Sequence, residues 1–450
     1  MLTLFGRATR YCDGVDRRSF LRAGALALGG LSLADLLRLQ AGAEATATSQ
    51  DAHPTSSAAR SGKAVIFVEL GGGPSHFETY DPKPNAPIEF RGPLEAVETN
   101  LPGVFLSQHM RQQARLLDKV AIVRSVRHAS NAHDPSSHLT QTGYLKRGQK
   151  AGLNEMPSFG SVAARLHGAN APGLPAYVAL PRIMRNGGAA YLGTAYNPFE
   201  TITDPGKKNF AVRNLALSTG LSVDRLEDRR TLLTALDSQR RIMDLERSSE
   251  AIDDFTRQAL EMVTGPRAQA AFDLNREKDK TREKYGMTDI GQSLLLARRL
   301  VESGVTCVTV RFPGWDNHQQ IAKAMRDRGP MYDTAMGALV RDLFSRSLDR
   351  DVLLVAMGEF GRTPRVNRNA GRDHWGSAMS VLLAGGGLKT GIVGATNSKG
   401  ETPVESPYGP ENILATIYRH LDIDPSQTFA DLSGRPRYVL EDRRPITELI

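Results

Sequence analysis

The sequence predicts a three-layer α/β/α sandwich with a mostly parallel central sheet, and three observations carry that prediction. Short apolar runs without polar alternation recur along the chain, as strands buried on both faces require. Helical patterns lie between several of these runs. Polar residues able to do chemistry fall just behind the runs, where loops gather at the carboxyl edge of such a sheet.

The first run is "KAVIFVEL" (63–70), which stops at Gly71-Gly72-Gly73-Pro74. It is followed by "KVAIVRSV" (119–126), "LPAYVAL" (174–180), "VTCVTVRF" (305–312), "DVLLVAMG" (351–358) and "SVLLAGG" (380–386). Between them, "DIGQSLLLARRLVESG" (289–304) repeats apolar residues at helical spacing and ends in Gly304, a natural C-cap. "MYDTAMGALVRDLFSRSL" (331–348) does the same before the fifth run. Residues 215–286 differ, being charge-rich and helical in pattern with few strand signals. They read as a helical insertion on the sheet's edge whose charges form a solvated face.

The front of the chain reads as an address. Arg17-Arg18-Ser19-Phe20-Leu21-Arg22 precedes an Ala/Gly/Leu-rich run, and Ala41-Gly42-Ala43 offers a small-residue cleavage site. Residues 1–43 thus resemble a twin-arginine signal peptide, with residues 44–61 a flexible linker and residues 62–450 the folded domain. Asp35 and Arg38 interrupt the apolar run, so no stable transmembrane anchor is expected. The expected partner is the twin-arginine export machinery, and the expected location is the periplasm or cell envelope.

Composition narrows the chemistry. The formal net charge is +8 over 450 residues, much of it in the leader, and later Lys and Arg alternate with acids. No basic block with interleaved aromatics is present, which argues against nucleic acid. Cys12 lies in the leader, leaving Cys307 alone in the mature chain. An intramolecular disulfide and a thiolate-built zinc site are both excluded, so any metal must be held by His and carboxylates.

Such groups collect behind the strand runs. Ser75, His76 and Asp81 follow the first, and His128, His133, Asp134, Ser136, Ser137 and His138 follow the second. "PGWDNH" brings Asp316 and His318, "GEFGRTP" brings Glu359 and Arg362, and "GRDHW" brings Arg372, Asp373 and His374. His76, Asp81, Asp316, His318, Glu359, Asp373 and His374 are therefore candidate ligands for one or two divalent ions, zinc, calcium or magnesium. Arg362 and Arg372, with His138, are candidates for holding an anionic substrate.

"FVELGGGPSHFETYDPKPNAP", "VAIVRSVRH", "WDNH", "GEFGRTPRVNRNAGRDHW" and the leader together resemble the DUF1501 family of exported bacterial proteins, related to the alkaline phosphatase and sulfatase superfamily. That resemblance implies an alkaline phosphatase-like domain with one or two metals at the carboxyl edge and a nucleophile at a helix N-terminus. In ligand order, it implies Asp81 or His76 after the first strand, with the acid supplied by Glu69 or Asp81. The 133–143 stretch follows, then Asp316 with His318, Glu359 and His374. Glu359-Phe360 stands where many superfamily members have Asp-His, which removes one expected ligand, and Asp373 is the candidate replacement. Against the sulfatase pattern Cys-x-Pro-Ser-Arg, the chain has His133-Asp134-Pro135-Ser136-Ser137, so no formylglycine precursor exists.

The functional expectation is an exported metal-dependent hydrolase of phosphate or sulfate esters, with substrates that include polysaccharide-derived anions. Metal-activated water, Ser136 or Ser137 is the expected nucleophile, and His133 is either a nucleophile or a ligand. The alternative is a non-catalytic, metal-containing envelope protein that binds sulfated or phosphorylated polymers.

Overall fold

Six residues, Ala64–Glu69, form strand β1, and every one of them is buried. Their side chains divide by parity. Ala64, Ile66 and Val68 enter one apolar core, while Val65 and Phe67 enter another. A strand with a core on each face is the middle layer of three.

This computed structural model describes residues 62–146, 154–207, 210–212 and 265–450. The expected leader and linker, and residues 215–264 of the expected helical insertion, lie outside the described residues. Among the described residues no helix is long and apolar enough to cross a membrane.

After β1 comes a small hairpin of β2 (Ala96–Glu98) and β3 (Phe105–Ser107). Next are β4 (Val120–Val126), α1 (His133–Thr142), α2 (Phe159–His167), β5 (Tyr177–Leu180) and β6 (Phe199–Glu200). Then follow α3 (Pro266–Phe272), α4 (Asp279–Tyr285), α5 (Asp289–Ser303), β7 (Cys307–Arg311) and α6 (Ile321–Ser345). The chain continues with β8 (Val352–Met357), β9 (Gly361–Arg362), β10 (His374–Trp375), β11 (Met379–Gly385), β12 (Gly391–Val393) and α7 (Pro410–His420).

The described strands build an eight-stranded sheet in the order β12-β4-β11-β8-β1-β7-β5-β6. All neighbours pair in parallel except β11, which runs against both β4 and β8. The α3, α5 and α6 helices pack on the face lined by Ile66 and Val68. On the other face, Phe159 and Val162 of α2 and Ile413 and Ile417 of α7 pack with Val65 and Phe67. The fold is therefore the three-layer α/β/α arrangement that the apolar runs predict.

Two helices illustrate how local chemistry sets the boundaries. Thr288 caps α5 by accepting the Gly291 N–H, and Gly304 closes it in the left-handed conformation. The α6 helix starts ten residues before the expected Met331, with Pro330 inside it. A proline beside an apolar pattern reads as a first-turn residue. Ile321 and Met325, buried nine and five residues earlier, supply the packing that extends the helix past it.

Register positions the functional edge. Glu69 of β1 lies beside Arg311 of β7 and Met357 of β8, so the loops leaving all three strands emerge together. Because β11 is antiparallel, the segment entering it also arrives at that edge, with Met379 opposite Val126. The β9–β10 ribbon pairs His374 with Arg362 and fixes the last approach of that segment.

Candidate metal centre

His133 is the first residue of α1, and its neighbour Ala132 is extended, so the ring leaves the helix start rather than its side. Its Nδ1 lies 2.6 Å from Glu359 Oε1, just beyond β8. The Gly72 N–H donates to both Glu359 oxygens, at 3.1 and 3.0 Å, and fixes that carboxylate from the β1 loop. His318 follows β7, with its Nδ1 2.6 Å from Asp373 Oδ1. His374 donates from Nδ1 to the Asn131 carbonyl at 2.9 Å. Each of the three rings thus has its Nδ1 on a carboxylate or carbonyl, which can only accept a proton.

The opposite nitrogens converge. His133 Nε2 is 3.3 Å from Asp316 Oδ2, while His318 Nε2 and His374 Nε2 are 3.0 and 3.1 Å from Asp316 Oδ1. His318 Nε2 and His374 Nε2 are themselves 3.1 Å apart. Ligand atoms of His133, Asp316 and His374 all fall within 4.8 Å of one another. With Nδ1 protonated, a neutral imidazole presents a lone pair at Nε2, and lone pairs so close repel unless a proton or cation sits among them. Zinc–ligand bonds of about 2.0–2.1 Å in a tetrahedron place ligand atoms about 3.3 Å apart. The residues fit a divalent cation.

Charge at the centre is arranged around Arg362. This buried guanidinium donates to the Gly73 carbonyl at 2.8 Å, the Arg372 carbonyl at 3.1 Å, the Gly72 carbonyl, and Asp316 Oδ1 at 2.5 Å. Burial alone would raise the Asp316 carboxyl, but the Arg362 guanidinium takes it well below the usual carboxylate range. Donating to Glu359 raises His133, and the hydrogen bond from His318 lowers Asp373. Beneath the cluster the Phe360 ring packs 5.0 Å from His133 and 4.4 Å from His374. On the other side the centre is open: the side chains of Asp316, His318 and Asp373 are 41%, 41% and 54% exposed.

A family model described as "Protein of unknown function (DUF1501)" matches residues 62–450. The chain belongs to the DUF1501 family. No curated protein sequence matches it. Among solved structures, a sulfatase from Pseudoalteromonas sp. is similar at 11% identity and TM-score 0.37, covering 80% of this chain and 68% of that one. A lipoteichoic acid synthase from Listeria monocytogenes is similar at 9% identity and TM-score 0.34, covering 86% and 76%. The alkaline phosphatase of the Antarctic bacterium TAB5 is similar at 10% identity and TM-score 0.33, covering 80% and 98%.

In this DUF1501 protein the cluster gathers Asp316, His318, Glu359, Asp373 and His374 from the expected ligands, together with His133. His76 and Asp81 are placed apart from it. His76 is buried, donates from Nε2 to the Gly400 carbonyl at 2.9 Å, and stacks near Phe77. Asp81 takes Lys83 at 3.1 Å, Arg124 at 3.6 Å and the Thr396 hydroxyl at 2.5 Å, a buried charge balanced by its own partners. Both follow β1 in sequence, but the loop carries them inward and away from the edge.

The expected serine nucleophiles are buried, and the candidate anion holders are bonded to the protein. Ser136 and Ser137 are buried in α1, and Ser136 Oγ bonds to Ser130 Oγ at 2.9 Å. His138 Nε2 accepts the Glu155 and Met156 N–H groups, so it splices the following loop onto α1. Arg372 is fully buried and bidentate on Glu78, with Nε 3.0 Å from Oε2 and Nη2 2.9 Å from Oε1, and its remaining donors on the Thr363, Pro364 and Phe90 carbonyls. Arg362 reaches the centre only through Asp316. Neither guanidinium is free to grip a substrate.

Three contributors carry no role in the sequence reading. Gly72 supplies the amide under Glu359, at a φ of +111°, and a Cβ there would come 2.5 Å from the Asp316 nitrogen. The "GGGP" run is its sequence signal. His128 bonds from Nε2 to the Glu359 carbonyl at 2.8 Å and accepts the Ser130 N–H at Nδ1. Asn131 acts through its backbone, which leaves no signal in side-chain chemistry.

Proposed function

We propose that this DUF1501 protein is an exported, metal-dependent hydrolase of phosphate or sulfate esters. One observation carries the reading: three imidazole Nε2 atoms surround the Asp316 carboxylate at the open carboxyl edge of the sheet. His133, His318, His374 and Asp316 would hold a divalent cation, which would supply polarisation of an ester oxygen and a lowered pKa for an adjacent water. The chain's own residues prepare for it. Glu359, Asp373 and the Asn131 carbonyl hold the Nδ1 protons, which keeps the rings oriented and their Nε2 atoms basic. Arg362 keeps Asp316 ionised. With Ser136 and Ser137 buried, the attacking group in this reading is water from the exposed side.

The expected substrate is an anionic ester, including those derived from polysaccharides, whose ester oxygen would meet the cation on the exposed side. Export rests on the Arg17-Arg18 leader, and replacing both by Lys should hold the protein in the cytoplasm of its host. A second reading has one observation in its favour. Four side chains converge, and four protein ligands are the mark of a closed, structural or binding centre.

The deciding experiment is to load metal-stripped protein with zinc, then assay aryl phosphate, phosphodiester and aryl sulfate esters beside His374→Ala. The hydrolase reading expects zinc-dependent turnover of at least one class, lost in the variant. Zinc binding without turnover of any class selects the binding protein.

A further inference from the structure

We infer that the six clustered side chains divide into two sets. His133, His318, His374 and Asp316 hold a single cation of the zinc type, whereas Glu359 and Asp373 orient imidazoles and bind no metal. This inference rests on the reading of the cluster as a metal centre and goes further, to ligand set, stoichiometry and ion class; with four protein ligands, turnover would require the ion to accept a fifth partner.

The geometry separates the sets. An imidazole's two nitrogens point to opposite sides of the ring. Glu359 meets His133 at Nδ1, and Asp373 meets His318 at Nδ1, while the shared point lies at Nε2 of both rings. Each carboxylate therefore has a ring between itself and that point. Glu359 is further committed, because both its oxygens accept the Gly72 N–H. Asp373 Oδ2 accepts from Asn367 Nδ2 at 3.3 Å. A carboxylate on the far nitrogen of a ligating histidine fixes the ring and raises its basicity, which is an outer role.

Removing Glu359 and Asp373 from the ligands leaves three nitrogens and one carboxylate. That set suits zinc and neighbouring transition metals. Calcium takes six to eight oxygens, and magnesium prefers six oxygens in a rigid octahedron. One side chain here offers oxygen. Two ions would need a second group of donors. His76 and Asp81, the remaining expected ligands, are bonded to Gly400 and to Lys83, Arg124 and Thr396.

The test uses the full chain after chelator treatment, titrated with zinc, calcium and magnesium chlorides by calorimetry and checked by elemental analysis. A cobalt(II) spectrum reports coordination number independently of activity. One zinc per chain, no competition from calcium or magnesium, and the intense visible bands of low-coordinate cobalt are expected. Asp373→Asn and Glu359→Gln, each confirmed folded by circular dichroism, should keep one equivalent with affinity reduced about 10–100-fold. Asp316→Ala and His374→Ala should lose it. Two equivalents per chain, calcium binding as tight as zinc, or loss of all binding in folded Asp373→Asn would overturn the division of roles while leaving a metal centre standing. A chain that binds none of the three ions removes both the inference and the proposed function.

Discussion

His318 Nε2 and His374 Nε2 face each other at 3.1 Å, and the same oxygen of Asp316 lies 3.0 and 3.1 Å from them. The two rings come from loops on either side of α6 and β8, brought together because β11 is antiparallel and delivers His374 back to the carboxyl edge. Without a cation, this arrangement has to share protons among three rings and one carboxylate.

Zinc should therefore stabilise the fold. At a free concentration 100-fold above Kd the gain is about 2.7 kcal/mol, visible as a higher midpoint in thermal unfolding. His374→Ala should show no zinc-induced rise, and an equal rise in that variant would place the bound ion elsewhere.

Arg362 is a brace. It ties the Gly72 and Gly73 carbonyls to Asp316 from a fully buried position. Arg362→Met leaves the two buried carbonyls without this donor and should cost about 1–3 kcal/mol in urea unfolding. A loss below 1 kcal/mol would mean that solvent reaches these groups.

The Arg372–Glu78 pair should behave as a buried unit. Arg372→Met alone strands the Glu78 carboxylate and should cost about 3–5 kcal/mol, whereas adding Glu78→Met should recover part of that loss. Additive losses in the double variant would contradict the pairing.

Gly72→Ala should weaken the centre and the fold together. The residue's φ of +111° disfavours any side chain, and the added Cβ meets Asp316 backbone at 2.5 Å. A cost of at least about 1–3 kcal/mol is expected, with weaker zinc binding measured on the folded fraction.

Glu69 gives a pH signature. Burial, then the Glu359 charge, raise its carboxyl from 4.5 to about 8, with Arg311 and Arg185 opposing. The folded state keeps this proton where the unfolded chain releases it, so its contribution is full below pH 4.5 and is lost as pH rises towards 8. Glu69→Gln should flatten that fall and gain stability over the wild type above pH 8 in urea midpoints taken with chelator. Identical profiles for the two proteins would refute the buried, protonated carboxyl.

Much of the fold was legible because strands buried on both faces leave unbroken apolar runs, and all six runs form strands of one sheet. The position of Asp316, His318, Glu359 and His374 at one edge followed from the same rule. What escaped the sequence is orientation. His76 and Asp81 also follow a strand, yet their loop turns them to Gly400 and to Lys83, Arg124 and Thr396, contacts between distant segments. Arg372 looked available until its partner Glu78, 294 residues away, closed over it. Which nitrogen of each histidine faces Asp316 depends on the Asn131 carbonyl, Glu359 and Asp373, none of which announces that role by residue type.

The most direct measurement is anomalous diffraction at the zinc edge from crystals of the zinc-loaded protein. A single strong peak within bonding distance of Nε2 of His133, His318 and His374 and of one Asp316 oxygen is the predicted result. A peak coordinated by Glu359 or Asp373, a second peak beside the first, or zinc bound only outside this cluster would contradict it.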